Sequence, residues 1–185
     1  VIILIFSIQS LSNADDVRDF ELEGVSIGDS LLDHFSEKEI KKEMNNAFFY
    51  KDNKFVDIFF DINRTYDYLQ VTVKPNDKSY IIQGISAQIF YEFNINDCYP
   101  KIDEISLNIE SDLSKKVTKT FQNKKKHPYD KSGKSIYSSY DYSLENGYIQ
   151  IQCFDWDKKY DYADKLIVSF KNEIYNEFLV NEAYD

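Results

Sequence analysis

The chain has 185 residues and a formal charge of −10, which is length enough for one domain with a core of its own. That balance leaves no basic face to neutralise phosphates, so it argues against nucleic acid as a partner and against attraction to an anionic membrane surface. Past the N-terminus, no apolar run approaches the ~20 residues of a membrane span.

The chain opens Val1-Ile2-Ile3-Leu4-Ile5-Phe6-Ser7-Ile8, and its first charge is Asp15. An apolar run followed by the small residues of Ser12-Asn13-Ala14 reads as the end of a secretory signal without its Met and basic start. Residues 1–14 are therefore expected to be a truncated signal peptide. Residues 15–185 then form a single exported domain, periplasmic or secreted. Asp15 to Glu23 is polar and reads as a poorly ordered lead-in. A short helical turn is expected near 30–35. A helix follows over about 37–45, opened by a capping box in which Ser36 and Glu39 satisfy each other's backbone N–H.

Strands are expected over Phe55–Ile62 and Tyr66–Val73; in the second, Leu69, Val71 and Val73 alternate with Tyr68, Gln70 and Thr72. Pro75-Asn76-Asp77 marks a turn, and a third strand runs from about Tyr80 to Tyr91 with a bend at Gly84. From Asp97 to Phe121 the residues Ile102, Ile105, Ile109, Leu113, Val117 and Phe121 recur every three or four positions, the pattern of an amphipathic helix. Asp97 is its expected N-cap and Pro100 lies in its first turn. The stripe drifts, so the helix either runs on or stops near Val117. Six Lys between Lys115 and Lys126 would complement the negative end of the helix dipole.

Asn146-Gly147 is a strong two-residue turn, which predicts a hairpin over 136–156 with Glu145 opposite Tyr148. One face of that hairpin carries Tyr140, Tyr142, Leu144, Ile149, Ile151 and Cys153. The other carries Tyr137, Ser139, Asp141, Ser143, Gln150, Gln152, Phe154 and Trp156. Cys153 points at the core, within reach of Cys98, and an even cysteine count in an exported chain suggests one disulfide. A last strand is expected over 165–170 and a closing helix over 172–183. Tyr68-Leu69-Gln70-Val71 resembles Tyr148-Ile149-Gln150-Ile151, which suggests halves 24–93 and 94–185, each a helix followed by three strands. The expected fold is α+β: an antiparallel sheet with helices packed on one face, built from that duplicated unit.

Several motifs invite a catalytic reading. Gly28-Asp29-Ser30-Leu31 spells the nucleophile block of GDSL-type esterases. That chemistry needs a His base held by a carboxylate, and neither His34 nor His127 has the family's Asp three residues before it. Ser132-Gly133-Lys134-Ser135 resembles the end of a phosphate-binding loop, but Pro128 stands where the first Gly belongs. Asp155, Asp157, Asp161 and Asp164 lack the spacing of a calcium loop, and the two His lack zinc spacing, so no metal and no cofactor is expected. One constellation stands out. The hairpin brings the loop His127–Ser135 and the loop Asp157–Ala163 to one end of the sheet, beside Tyr137, Phe154 and Trp156. With His127 and Lys134 these aromatics would make a recognition surface.

The run Asp15–Ser30, the His127-Pro128 to Ser135 loop and the Cys153-x-Asp155-Trp156 end are similar to uncharacterised exported proteins of AT-rich marine alphaproteobacteria. The resemblance covers most of the mature chain and implies export. The Gly-x-Ser start, the helical pair and the antiparallel sheet also resemble, more faintly, the outer-membrane-assembly lipoproteins of the SmpA/OmlA type. The combined expectation is a non-enzymatic module that binds another periplasmic protein. A small-molecule or glycan binder is the alternative, and a GDSL-like esterase the weak one. The oligomeric state stays open.

Overall fold

A computed structural model describes residues 14–62, 65–91, 94–113 and 117–183; the leader reading falls on residues outside these ranges, apart from Ala14. The elements in chain order are β1 (Glu21–Leu22), β2 (Val25–Ser26), α1 (Glu37–Glu43), β3 (Phe48–Phe49), β4 (Val56–Asp61), β5 (Tyr68–Val73) and β6 (Ile82–Phe90). They continue with α2 (Cys98–Asp112), β7 (Thr118–Lys126), β8 (Ile136–Leu144), β9 (Gly147–Asp155), β10 (Lys165–Asn172) and α3 (Glu173–Asn181). β1 and β2 form a small hairpin. The other eight strands make one antiparallel sheet in the order β3-β4-β5-β6-β10-β9-β8-β7.

Strand alternation decides what each face of the sheet carries. The inner face presents Val56, Ile58, Leu69, Val71, Ile85, Val168, Phe170, Ile149, Ile151 and Cys153, all buried. α2 lays Ile102, Ile105 and Ile109 against it, and Ile40 of α1 joins the same core. The expected disulfide is present: Cys98 at the start of α2 is bonded to Cys153 of β9, with Cα atoms 6.0 Å apart. The closing helix α3 crosses to the outer face, where Tyr175 and Phe178 pack with Tyr50 and Phe55 in a second, smaller cluster.

The strand order describes two similar paths, α1–β3–β4–β5–β6 and α2–β7–β8–β9–β10, which meet at β6 and β10. Each half has four strands after its helix rather than three. The pairing registers relate the halves by an approximate two-fold axis. Ser86 and Ser169 face each other across the junction, their hydroxyls 2.9 Å apart. Beside them, Gln70 pairs with Ser86 on one side and Gln150 with Ser169 on the other.

Four local expectations are corrected. The segment Asp15–Glu23 is part of the core rather than a loose lead-in. Val17, Phe20 and Leu22 are buried, and Glu23 and Gly24 turn the hairpin with φ of 57° and 80°. Its charged residues hide this in sequence, because they alternate with the apolar ones and pair locally, Asp16 with Arg18.

The long helix ends at Asp112. Leu113 is extended, and the carbonyl of Asp112 accepts from Ala14 N–H at 2.8 Å. The residues from Thr118 alternate as a strand, so Phe121 and Lys119–Lys126 lie on the sheet edge and not at a helix end. At the other end of α2, Asp97 makes no cap bond; Asn94, one turn earlier, accepts from Asn96 N–H.

The hairpin β8–β9 forms, with the turn one residue earlier than expected. Leu144 pairs with Gly147 and Tyr142 with Ile149, so Glu145-Asn146 is the turn. Gly147 is needed for close approach: a Cβ there would lie 2.3 Å from the carbonyl oxygen of Lys171 and 2.6 Å from Val17 Cγ1. Glu145 N–H donates to Asp15 O, and Asn146 O accepts from Glu173 N–H. The pairing moves by two residues, which preserves the two faces.

Candidate functional site

The outer face is polar across most of its width, and it is organised around two carboxylates, one in each half. In the first half Asp57 points outward from β4 and is buried. Thr72 Oγ1 donates to its Oδ1 at 2.5 Å, and Tyr50 OH and Gln70 Nε2 donate to its Oδ2 at 2.8 Å each. Tyr175 OH lies 3.4 Å from Oδ1 and 2.9 Å from the Tyr50 hydroxyl. Burial pushes the Asp57 carboxyl up to about 6, against the hydroxyls of Thr72, Tyr50 and Tyr175 that favour its ionised form.

In the second half Asp141 points outward from β8 and is half-buried. Gln150 Nε2 donates to its Oδ1 at 2.5 Å and Ser139 Oγ to its Oδ2 at 2.8 Å. Lys171 Nζ donates to Gln150 Oε1, as Gln88 Nε2 does to Gln70 Oε1 in the other half. Burial lowers the pKa of Lys171, and the nearby Asp141 charge opposes that fall.

Above Asp141 lies an open groove of about 370 Å³. Its floor is Thr120, Gln122, Ser139, Asp141, Gln150 and Gln152, and one wall is His127, Tyr137 and Phe154. The size is that of a small-ligand site. Tyr137 OH donates to Gln122 Oε1 at 3.0 Å. The His127 ring sits 4.4 Å from Trp156, 5.6 Å from Phe154 and 6.0 Å from Tyr137. Trp156 stacks on Phe154 and meets Tyr160 and Tyr162 edge-on. Trp156 is half-buried, and its indole N–H is buried without a hydrogen-bond partner among the described residues. Burial lowers the pKa of His127, against the Asp130 charge that raises it, and its Nδ1 accepts from Tyr129 N–H.

The two loops meet at one end of the sheet because of Asp130. Its carboxylate accepts from the N–H groups of Ser132, Lys134 and Ser135, from both serine hydroxyls, from Lys159 Nζ and from Tyr160 OH. Burial pushes this carboxyl up, but the donors, led by Ser135 and Ser132, outweigh it and hold it well below the usual range. The Ser132–Ser135 stretch thus has its N–H groups turned onto the protein's own carboxylate, where a phosphate-binding loop would leave them for an anion.

Four of the five residues expected at the site, His127, Tyr137, Phe154 and Trp156, come together. Lys134 does not: its exposed side chain reaches Asp157 at 3.6 Å, away from the groove. The sequence reading overlooked the floor as a site, although its amides already stood on the polar face of the hairpin. It also overlooked Asp57, whose phenolic partners Tyr50 and Tyr175 are scattered along the chain.

The remaining motifs build turns. Ser30 Oγ donates to Ser79 O at 2.7 Å and accepts from Leu32 N–H. Asp29 accepts from Ser26 N–H and lies 3.1 Å from His34 Nε2. Asp157 caps a short turn, and Asp164 accepts from Trp156 N–H. Among the described residues no group of three metal-ligating side chains converges, and no helix is long and apolar enough to cross a membrane. No family model, no curated protein and no solved structure matches the chain.

Proposed function

We propose that this protein is an exported binding module that acts without turnover, through the open half of its outer sheet face. The observation that carries the reading is the contrast between that groove and the two edges of the sheet. β3 is only two residues long. β7 carries Lys119, Lys124, Lys125 and Lys126, and is broken by a bulge between Gln122 and Lys125 with Lys124 at a φ of 46°. Short, charged and bulged edges resist the addition of a strand from another chain. The groove offers instead a rigid aromatic wall over a floor of amides and hydroxyls, which is the composition of a recognition site. The Cys98–Cys153 disulfide fits an oxidising compartment.

The test is site-specific photocrosslinking in the native host. A benzophenone side chain is placed at Gln122 in the groove or at Leu107, which is 68 % exposed on α2. An adduct at Gln122 and none at Leu107 is the expected result. Adducts only at Leu107, equally at both, or at neither would overturn the reading.

A further inference from the structure

Two carboxylates of the outer face, Asp57 and Asp141, are held alike and finished differently. Asp57 accepts from one amide, Gln70, and from one small hydroxyl, Thr72. Asp141 likewise accepts from one amide, Gln150, and from one small hydroxyl, Ser139. Gln70 and Gln150 are counterparts in the two halves, each one strand out from the Ser86–Ser169 junction. Asp57 is then completed by the phenols of Tyr50 and Tyr175, the second brought by α3. Gly84 opens the space that Tyr175 fills, since a Cβ there would stand 2.6 Å from its ring. Asp141 stands two residues further along its strand than Asp57 does, since it pairs with Gln150 whereas Asp57 pairs with Thr72; no described helix covers it, and the groove of about 370 Å³ lies above it. The carboxylate oxygens keep lone pairs for further donors.

We infer that the groove is a site for a phenol: an aromatic ring seated along His127, Tyr137 and Phe154, with its hydroxyl donating to Asp141. The inference rests on the binding reading above and names the ligand chemistry. The protein itself supplies the precedent, because Asp57, held by the same two kinds of donor, is completed by tyrosine hydroxyls. A hydroxyl donating to a carboxylate is a charge-assisted bond, so a ring without the hydroxyl is discriminated against.

The test uses the full, disulfide-bonded chain and follows the Gln150 side-chain amide and the Trp156 indole by NMR. The probes are N-acetyl-tyrosinamide, N-acetyl-phenylalaninamide, a peptide of residues 172–183 that carries Tyr175, and cellobiose. Saturable shifts are expected with the tyrosine probe and affinity weaker by about tenfold or more with phenylalanine. A similar loss is expected for the tyrosine probe with Asp141→Asn, whose fold is checked by its unshifted core resonances. Tighter binding of the peptide than of the free amide assigns the phenol to a protein partner; equal binding assigns it to a small phenolic compound. Equal affinity for tyrosine and phenylalanine, no loss in Asp141→Asn, or no shift with either aromatic probe overturns the inference. Shifts with cellobiose alone overturn it while leaving the groove a binding site. Silence from every probe overturns it too, and the crosslinking result then decides the wider reading separately.

Discussion

The two ends of the outer face each hold a carboxylate with one amide and one small hydroxyl, and they close over it differently. At the β4–β5 end, Asp57 is enclosed beneath Tyr50, Tyr175 and Phe178, and its carboxyl is carried up to about 6 by burial. At the β8–β9 end, Asp141 keeps an amide and a hydroxyl but stays half-exposed beneath an open groove. The closed end uses its polar groups to hold a helix, so they support stability. At the open end the amide and the hydroxyl are held by Asp141 alone, and the carboxylate keeps lone pairs that face the groove. A buried polar network is costly to break because each orphaned partner has lost water as well.

The sharpest way to break the comparison is to remove each carboxylate in turn. Asp57→Ala should lower unfolding free energy by about 3 kcal/mol or more, since it takes the shared acceptor from Thr72, Gln70 and Tyr50 beside α3. Asp141→Ala should cost under about 1 kcal/mol, because water reaches its partners. Urea unfolding at pH 5 measures both, and equal losses would dissolve the distinction.

The next effect is one of pH. The folded pKa of Asp57 lies above its unfolded value, so between about pH 4 and pH 6 the folded state binds more protons than the unfolded chain. Stability is therefore fully present at the acid side of that window and falls as pH rises through about 6, by roughly 2–3 kcal/mol. Asp57→Asn should flatten this slope, and a slope kept in that variant would place its origin elsewhere. Unfolding curves across the window report it.

A smaller effect probes the helix that closes the first half. Gly84→Ala puts a methyl 2.6 Å from the Tyr175 ring and should cost about 1–2 kcal/mol. Amide exchange should quicken across α3 and leave the rates in β8 unchanged. If exchange in β8 quickens equally, the two ends are not independent.

What could be read from sequence was whatever depends on neighbours in the chain. The Ser36–Glu39 box formed because its donors and acceptors lie within one turn. The strands and the two faces of the β8–β9 hairpin were legible because alternation is local, and that same alternation aimed Cys153 at α2. The register was not legible, because Asn146-Gly147 was judged as a turn in isolation, whereas Gly147 is committed to the Lys171 carbonyl and Val17. The true end of α2 depends on Ala14, nearly a hundred residues upstream, and no periodicity reports such a partner. The Asp57 network is hidden for the same reason: its phenols come from before β4 and from the last helix.

The lysine-bearing, bulged edge of β7 has a consequence for how this molecule can change over evolutionary time. Partners that extend a sheet are recognised through main-chain hydrogen bonds, which are the same whatever the sequence. With that route resisted, the proposed binding falls to side chains standing on a finished scaffold. A handful of substitutions at Gln122, Gln150 or Gln152 could then redirect recognition while the backbone, the disulfide and the inner core stay untouched. Close relatives would share the sheet and differ in what they hold.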